Sequence, residues 1–278
     1  MGKQENIKIF EDTETLCKTN SSLKQSIKNS ICNQKLILQN QRINSNNQKR
    51  YEKPANIIVS KKRTLQAASA YKNTKTAVHN FASATNPGGG VKRGSNAQEE
   101  CLCRCSGLYV CLSTQTMWDG FYSPHRQAYN PIYNDDIIYT PAVTVFKTDT
   151  EQPEIMDASD WYNVDVITCA APNLRVKNNY NGKSSYNNAK KMTNDELLKL
   201  HEKRLKRILD TALSEDDETI ILGAFGCGAF MNDPQVVAQA AKNVIREYLY
   251  SFKNIEFAVY CSPRDDRNYR IFDRVLKK

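Results

Sequence analysis

Two adjacent glutamates, Glu99 and Glu100, come shortly after a run of three glycines in this chain of 278 residues. Neighbouring residues on a helix point about 100° apart, so the two carboxyl groups cannot do the same job. One of them can face a glycosidic bond as a general acid while the other binds a sugar hydroxyl. A first-turn glutamate pair also complements a helix dipole without any chemistry. The nearby glycines favour the chemical interpretation.

Two glycine-rich loops each follow an apolar, strand-like run. In the first loop, residues 80–91 (NFASATNPGGGV), glycines without a Cβ permit positive φ and expose successive N–H groups to a phosphate or a ribose–diphosphate. In the second, residues 222–230 (LGAFGCGAF), glycines also allow a close approach, and the helix that starts near Asp233 and Pro234 favours anions. We expect at least one of Phe225 and Phe230 to touch a ribose or base. The second loop is not G-x-G-x-x-G and no P-loop lysine follows, which disfavours nucleotide hydrolysis.

The cysteines and histidines predict neither a metal site nor a cofactor. Cys101, Cys103 and Cys105 form a C-x-C-x-C run, but on a helix the first and third share a face while the second points away. Packed thiols are therefore expected instead of zinc ligands. The three histidines are scattered, and His79 lies in a strand-like run as a structural residue.

Composition limits the location and the partners. The net charge is +9, and residues 1–50 contribute +5 of it, from nine Lys/Arg against four Asp/Glu. Such a balance suits anionic partners, with direct nucleic-acid binding left open. No apolar run approaches the roughly 20 residues that span a bilayer. The first residues lack a signal-peptide pattern, and the nine cysteines are an odd number. We expect a reduced, cytoplasmic protein without a membrane partner, or a nuclear one in a eukaryote.

The elements that must position these loops alternate between strands and helices from about residue 55. Strands are predicted at 56–59, 76–82, 164–170, 219–222 and 255–260, with extended runs over 137–146 interrupted by Pro141; helices are predicted at 65–71, 97–113, 194–213 and 234–249. Such alternation favours a mostly parallel or mixed sheet covered on both faces, with ligands at the carboxyl ends of its strands. Residues 1–54, which precede this alternating region, are predicted to form a helical extension. Its first ten residues are expected to be disordered, and Ile27, Ile31, Leu36, Ile37 and Leu38 are expected in short helices.

The motifs resemble a known family. They are NFASA at 80–84, NPGGGV at 86–91, AQEECLCRCSGLY at 97–109, YTP at 139–141 with Val145 and Phe146, APN at 171–173, and GAFGCGAF at 223–230 followed by Asn232, Asp233 and Pro234. This pattern resembles the microbial type of poly(ADP-ribose) glycohydrolase, a relative of macrodomains. The resemblance implies a three-layer α/β/α macrodomain-like catalytic domain over residues 55–278, preceded by the extension.

The resemblance also implies a reaction and the residues that perform it. The family cleaves the ribose–ribose bond of ADP-ribose polymers, so polymer or ADP-ribosylated macromolecules would be the partners and ADP-ribose the product. Glu100 would act as the acid and then the base, and Glu99 would hold ribose hydroxyls. Burial beside a diphosphate would favour the protonated acid. The implied substrate contacts are Asn86, Gly88, Gly89, Gly90, Val91, Gln98, Gly226, Cys227, Gly228, Ala229 and Phe230, with Phe230 ordering the terminal ribose. No metal is implied.

Other functions stay open at this point. A cradle for ADP-ribose would look alike in an enzyme that removes single ADP-ribose units from protein or nucleic acid. A non-catalytic macrodomain that binds ADP-ribose is a further alternative, which Glu99 and Glu100 argue against. A nucleic-acid-binding protein has only the basic first 50 residues in its favour, without a recognition motif.

Overall fold

A central seven-stranded sheet organises the computed structural model, which describes residues 2–45, 49–175, 192–262 and 265–277. Along the described chain the strands are β1 (Lys35–Ile37), β2 (Asn56–Ser60), β3 (Thr76–Phe81), β4 (Ile137–Val145), β5 (Tyr162–Cys169), β6 (Thr219–Leu222) and β7 (Asn254–Ala258). Their spatial order is β1-β4-β5-β3-β6-β7-β2.

The sheet is mixed and mostly parallel, as predicted. Neighbouring pairs from β5 through β3, β6 and β7 to β2 are parallel, whereas β4 runs antiparallel to both β5 and β1. The predicted interruption at Pro141 is a register shift between Thr140 and Val143 within one continuous strand. Ala142 there has a φ of 50°, and its amide donates to Asp165 Oδ1 at 2.7 Å. That bond stabilises the bulge.

Helices cover both faces of the sheet, which confirms the three-layer α/β/α prediction. The described helices are α1 (Lys3–Thr19), α2 (Ser21–Cys32), α3 (Thr64–Ala68), α4 (Gln98–Cys105), α5 (Leu108–Leu112), α6 (Gln115–Met117), α7 (Ser123–Ala128), α8 (Asn194–Ser214), α9 (Pro234–Ile245) and α10 (Arg267–Leu276). Ile220 and Leu222 of β6 pack into the core with α8, α9 and α10, while Ile221 between them packs into the opposite core with α3, α4 and α5. This alternation follows from the period-2 geometry of a strand buried on both sides.

The first residues are ordered, so the expected disorder before residue 10 is wrong. Helix α1 begins at Lys3, and Phe10 is 1% exposed. Its ring meets Tyr109 edge to face, with centroids 5.0 Å apart. Asn6 Nδ2 donates to Gly94 O at 3.0 Å, which ties the helix to the end of the first glycine-rich loop. The polar composition of the segment hid this apolar stripe. The domain boundary at residue 54 stays a prediction.

Two other secondary-structure predictions are wrong for identifiable reasons. Leu36 and Ile37 lie in strand β1, not in a helix, because they pair with the edge of β4, and Leu38 follows this strand outside any helix. The single helix predicted over 97–113 breaks into α4 and α5 at Ser106 and Gly107. There Ser106 bridges to Val145, and the Gly107 amide donates to Thr144 O at 3.2 Å. The sheet edge therefore takes backbone groups that a continuous helix would use.

No helix in the described part of the chain is long and apolar enough to cross a membrane.

Candidate active site

Gln98 joins the start of helix α4 to the end of strand β3. Its side-chain Oε1 accepts from the Phe81 amide at 2.9 Å, and its Nε2 donates to His79 O at 2.8 Å and to Thr64 Oγ1 at 3.0 Å. With both ends of the amide engaged, Gln98 fixes where the following two glutamates stand. The structure therefore gives it a positioning role beside the substrate-binding role that the resemblance implies.

Glu99 is held on both carboxyl oxygens by the end of β3 and the loop that follows it. Oε2 accepts from the Ser83 amide at 2.7 Å, and Oε1 lies 3.4 Å from Asn80 Nδ2. The Gly88 amide is a further donor to this carboxyl group. Only 3% of Glu99 is exposed, and it lies on the wall of the cavity described below. Glu99 thus joins the loop to the helix.

Glu100 has one engaged and one unengaged carboxyl oxygen. Oε1 accepts from the Gly90 amide at 2.8 Å. Oε2 is buried and has no hydrogen-bond partner within the described residues, although Glu100 also lines the cavity. A buried polar atom without a partner is uncommon, and it marks an atom available to a ligand.

Gly89, which lies against both glutamate carboxyl groups, is sterically required. Gly89 has a φ of 60°, a conformation that L side chains rarely adopt. A Cβ at this position would lie 2.6 Å from Glu100 Oε1 and 3.0 Å from Glu99 Oε2. Both carboxyl groups can therefore approach the loop only because this residue has no side chain.

Burial and the neighbouring carboxyl group set the proton affinity of Glu99. Burial, followed by the charge of Glu100, raises the pKa of Glu99 to about 8, against hydrogen bonds from Ser83, Asn80 and Gly88 that lower it. The upward shift of this pKa follows because two adjacent buried carboxyl groups resist double ionisation. Near neutral pH the pair consequently keeps a proton.

The amides of the first glycine-rich loop do not point to a diphosphate. The Gly89 and Val91 amides donate to Asn86 O and Gly88 O at 3.0 and 3.1 Å, and the Gly90 amide donates to Glu100. The expectation that these N–H groups are exposed to a phosphate is therefore wrong. They close turns and hold the glutamates.

The second loop has the unengaged amides. Gly226 adopts a φ of 77°, where a Cβ would lie 2.7 Å from Ala171 Cβ. The amides of residues 226 and 228–230 have no acceptor in the described part of the chain, whereas the Cys227 amide donates to Ala224 O at 3.1 Å. The start of α9 is already occupied, because Asp233 Oδ1 accepts from the Gln235 amide at 2.8 Å. Loop amides, not the helix end, are thus available to an anion.

One cavity of about 600 Å³ brings most of the predicted residues together at the carboxyl ends of the parallel strands. Its lining includes, from the predicted set, Asn86, Gly89, Gly90, Gln98, Glu99, Glu100, Gly226, Gly228, Ala229 and Phe230. Gly88, Val91 and Cys227 are not among the described residues that line it. Val91 is 1% exposed and packs in the core, so its contribution is to hold the loop.

The two phenylalanines of the second loop have different roles. Phe225 is 6% exposed, and its ring packs 4.4 Å from His79 and 5.5 Å from His201, centroid to centroid. Phe230 is half-buried, lines the cavity, and lies 6.3 Å from Tyr133. Both rings line the cavity, and Phe230 is the more exposed of the two. Its contact with a ribose stays a prediction.

One end of the cavity contains residues that no sequence motif singled out. The Arg63 guanidinium lies 4.1 Å from the Tyr260 ring centroid. Asp149 is 6% exposed; its Oδ2 accepts from the Leu65 amide at 3.0 Å, and its Oδ1 is buried without a partner in the described residues. These residues come from loops far apart in sequence, and only the sheet order brings them together.

The thiols and imidazoles near the site are structural. Cys103 and Cys105 are fully buried, and Cys101 Sγ lies 3.3 Å from Arg63 Nη1. Burial lowers the pKa of His79 to about 3, as expected for an imidazole kept neutral in a core. Across the described ranges, no group of three His, Cys, Asp or Glu residues is placed to hold a metal ion.

Fold and site together define an α/β protein whose cleft combines a buried pair of carboxyl groups with loop amides that no acceptor in the described residues engages and that suit a diphosphate. A family model, the microbial-type PARG catalytic domain, matches residues 3–148, which is more than half of the chain. The chain belongs to this family. The match begins within α1, so it includes most of the predicted extension.

Solved structures support the same conclusion over the whole length. Poly(ADP-ribose) glycohydrolase from Thermomonospora curvata is 25% identical, with a TM-score of 0.82 and coverage of 98% of this chain and 99% of that chain. The Deinococcus radiodurans enzyme in complex with ADP-ribose is 29% identical, with a TM-score of 0.77 and coverage of 90% and 96%. A comparison with curated protein sequences gave no match.

Proposed function

We propose that this protein is a poly(ADP-ribose) glycohydrolase, which hydrolyses the ribose–ribose O-glycosidic bond of ADP-ribose polymer and releases ADP-ribose. The observation that carries the proposal is Glu100 Oε2, which is buried and has no partner among the described residues. It lies in the same cavity as the amides of residues 226 and 228–230, for which the described residues supply no acceptor. The family membership and the ADP-ribose complex of the Deinococcus relative support it. A cytoplasmic location remains part of the proposal.

The substrate position that we propose follows the strand order along the cleft. The first loop follows β3, the second follows β6, and Tyr260 and Arg63 follow β7 and β2, which is the order of these strands in the sheet. At about 4.8 Å per strand, β3 and β2 are roughly 14 Å apart. We place the terminal ribose at Glu100 and Phe230, the diphosphate on the second loop, and the adenine at Asp149 and Tyr260. Asp149 Oδ1 can accept from the adenine amino group.

Glu100 performs the proton transfers in this arrangement. The step requires the one proton that the pair keeps to stand on Glu100 Oε2, from which it passes to the leaving ribose oxygen as the bond to the anomeric carbon breaks and an oxocarbenium-like state develops. The resulting carboxylate then takes a proton from the water that attacks this carbon, which restores the acid. The Gly90 amide holds the other carboxyl oxygen still, so Oε2 keeps one direction through both steps.

Glu99 supports this chemistry by binding the substrate beside Glu100. A carboxyl group has about four lone-pair sites, so Glu99 can accept a ribose hydroxyl besides its bonds to the loop. Because both its oxygens are already engaged, it is less suited than Glu100 to give up or take a proton. The roles implied by the resemblance therefore agree with the hydrogen bonds.

The deciding experiment is to offer wild-type protein two substrates, poly(ADP-ribose) and a mono-ADP-ribosylated protein, and to resolve the products by chromatography. We expect ADP-ribose from the polymer and little from the single modification. Release only from the mono-modified protein would instead make the chain a mono-ADP-ribose hydrolase. Binding of ADP-ribose without any cleavage would make it a non-catalytic reader.

A further inference from the structure

A second cavity, of about 410 Å³, adjoins the catalytic cavity. The two share Thr85, Asn86, Tyr133, Asn173 and Arg175, so they lie side by side. Tyr133 belongs to the dividing wall, since its ring lies 6.3 Å from Phe230 on one side and 6.0 Å from His125 on the other. A cavity of this size is large enough for a nucleotide-sized group.

Aromatic side chains define this second cavity. Tyr129 ends helix α7 with a φ of 47°, and Tyr133 has a φ of 59°. A bulky residue in the left-handed region is uncommon, and here two of them turn the chain around the cavity. The Tyr129 side chain is 74% exposed, so its ring is available for stacking.

The charge of the cavity is positive. Arg126 and Arg175 line it, and none of its described lining residues is an aspartate or glutamate. The Arg126 guanidinium lies 5.3 Å from the Trp118 ring centroid, and this cation–π contact restrains it at the rim. An exposed aromatic ring beside a restrained arginine recognises a base joined to a phosphate.

The sheet order places this cavity on the leaving-group side of the bond that is cleaved. Asn173 follows β5, which neighbours β3 on the side opposite β6, β7 and β2. If the released ADP-ribose extends from Glu100 towards β2, the unit attached through the scissile oxygen must extend the other way. That side of Glu100 is where the second cavity lies.

We propose that the second cavity binds the next ADP-ribose unit of the polymer, with its adenine on Tyr129 and its diphosphate at Arg126. This inference rests on the proposed function and extends it to a subsite for the leaving group. The subsite would favour polymer over single modifications, because only polymer carries a second adenosine diphosphate next to the bond. It also aligns the leaving ribose oxygen with Glu100.

The test compares polymer cleavage with binding of free ADP-ribose, which fills only the catalytic cavity. For Tyr129→Ala we expect kcat/KM on polymer to fall about 10-fold, since stacking of one base contributes roughly that factor. The affinity for free ADP-ribose should stay at the wild-type value, and Tyr129→Phe should restore cleavage. Tyr250→Ala is the matched control, because this tyrosine is 41% exposed and contacts Lys49, away from both cavities.

A second variant separates base stacking from charge. Arg126→Gln should also lower kcat/KM on polymer and should reduce its dependence on salt, because one contact to a phosphate is lost. The inference is overturned if Tyr129→Ala and Arg126→Gln cleave polymer like wild type, or if they lose affinity for free ADP-ribose to the same extent. If wild type itself leaves polymer intact, the proposed function has failed, and that result is seen before any variant is made.

Discussion

At the scale of single residues, hydrogen bonds distinguish two glutamates that are neighbours in sequence. Three donors, one from the end of β3 and two from the loop after it, engage the Glu99 carboxyl group. One amide engages Glu100 and leaves its Oε2 unpartnered in the described residues. A proton donor needs an oxygen that can reach the substrate, and a positioning group needs fixed partners. The different partners therefore assign different roles to identical side chains.

The raised pKa of Glu99 predicts a pH-dependent cost to folding. Burial and the adjacent Glu100 move this pKa from 4.5 to about 8, so the folded protein holds a proton that the unfolded chain releases at lower pH. The stability due to this group is complete below pH 4.5 and is lost as pH rises through about 8, by at most about 1.4 kcal/mol per pH unit. Denaturant unfolding at pH 6 and pH 8.5 should show a larger loss of unfolding free energy for wild type than for Glu99→Gln. Equal losses in both proteins would contradict the assignment.

Gly89 and Gly88 offer a matched pair of substitutions that separates strain from catalysis. Both have positive φ, of 60° and 65°, so alanine at either should cost about 1 kcal/mol or more of stability. A Cβ on Gly89 would meet the Glu100 carboxyl, whereas one on Gly88 would meet Tyr109. Gly89→Ala should therefore lower kcat about 100-fold, because a displacement of the acid by about 1 Å has that effect. Gly88→Ala should lower it much less, because it displaces Tyr109 and not the acid. Similar kcat values for the two variants would show that Glu100 does not depend on this contact.

At the scale of elements, helix α1 supports the catalytic loop from behind. Phe10 packs on Tyr109, and Tyr109 lies directly against Gly88. Lys92, directly after this loop, pairs with Glu14 of the helix at 3.9 Å. The predicted extension is thus in contact with the site, even though its sequence carries no catalytic motif.

Removal of the Phe10 ring should therefore affect both stability and activity. Phe10→Ala should lower the free energy of unfolding by about 3–5 kcal/mol, the usual effect of deleting a buried phenylalanine. It should also lower kcat on polymer, because Tyr109 can then move away from the loop. Lys8→Ala, an exposed change on the same helix, should leave both unchanged. If Phe10→Ala is destabilised yet retains the wild-type kcat well below its melting temperature, helix α1 does not support the catalytic loop.

The elements predicted from sequence were those with strong local signals. The strand at residues 219–222 and the helix that begins at Asn194 are confirmed. They could be predicted because their apolar period is clear, and Thr193 caps the helix. The ends of α4 and the existence of β1 were missed because pairing with β4, distant in sequence, decides them. In the site, residue types indicated the glutamates and Phe230. The direction of the loop amides, and Asp149 at the other end, depend on tertiary structure alone.

At the scale of the whole molecule, a basic protein acts on a polyanion along one edge of its sheet. The net charge is +9, and arginines lie at both ends of the joined cavities. We expect kcat/KM on polymer to fall as salt rises from 50 to 200 mM, while kcat changes little, because screening weakens the encounter more than the chemistry. Kinetics at the two concentrations decide this, and a kcat/KM that does not respond to salt would contradict it.

The central claim is that Glu100 is the acid in an ADP-ribose site that is otherwise complete. The most direct measurement compares wild type and Glu100→Gln in two assays, single-turnover cleavage of poly(ADP-ribose) and calorimetric binding of ADP-ribose. The account predicts a rate about 10²- to 10⁴-fold lower in the variant, with ADP-ribose affinity close to that of wild type. Cleavage by Glu100→Gln at the wild-type rate would contradict it, and another group would then have to supply the proton.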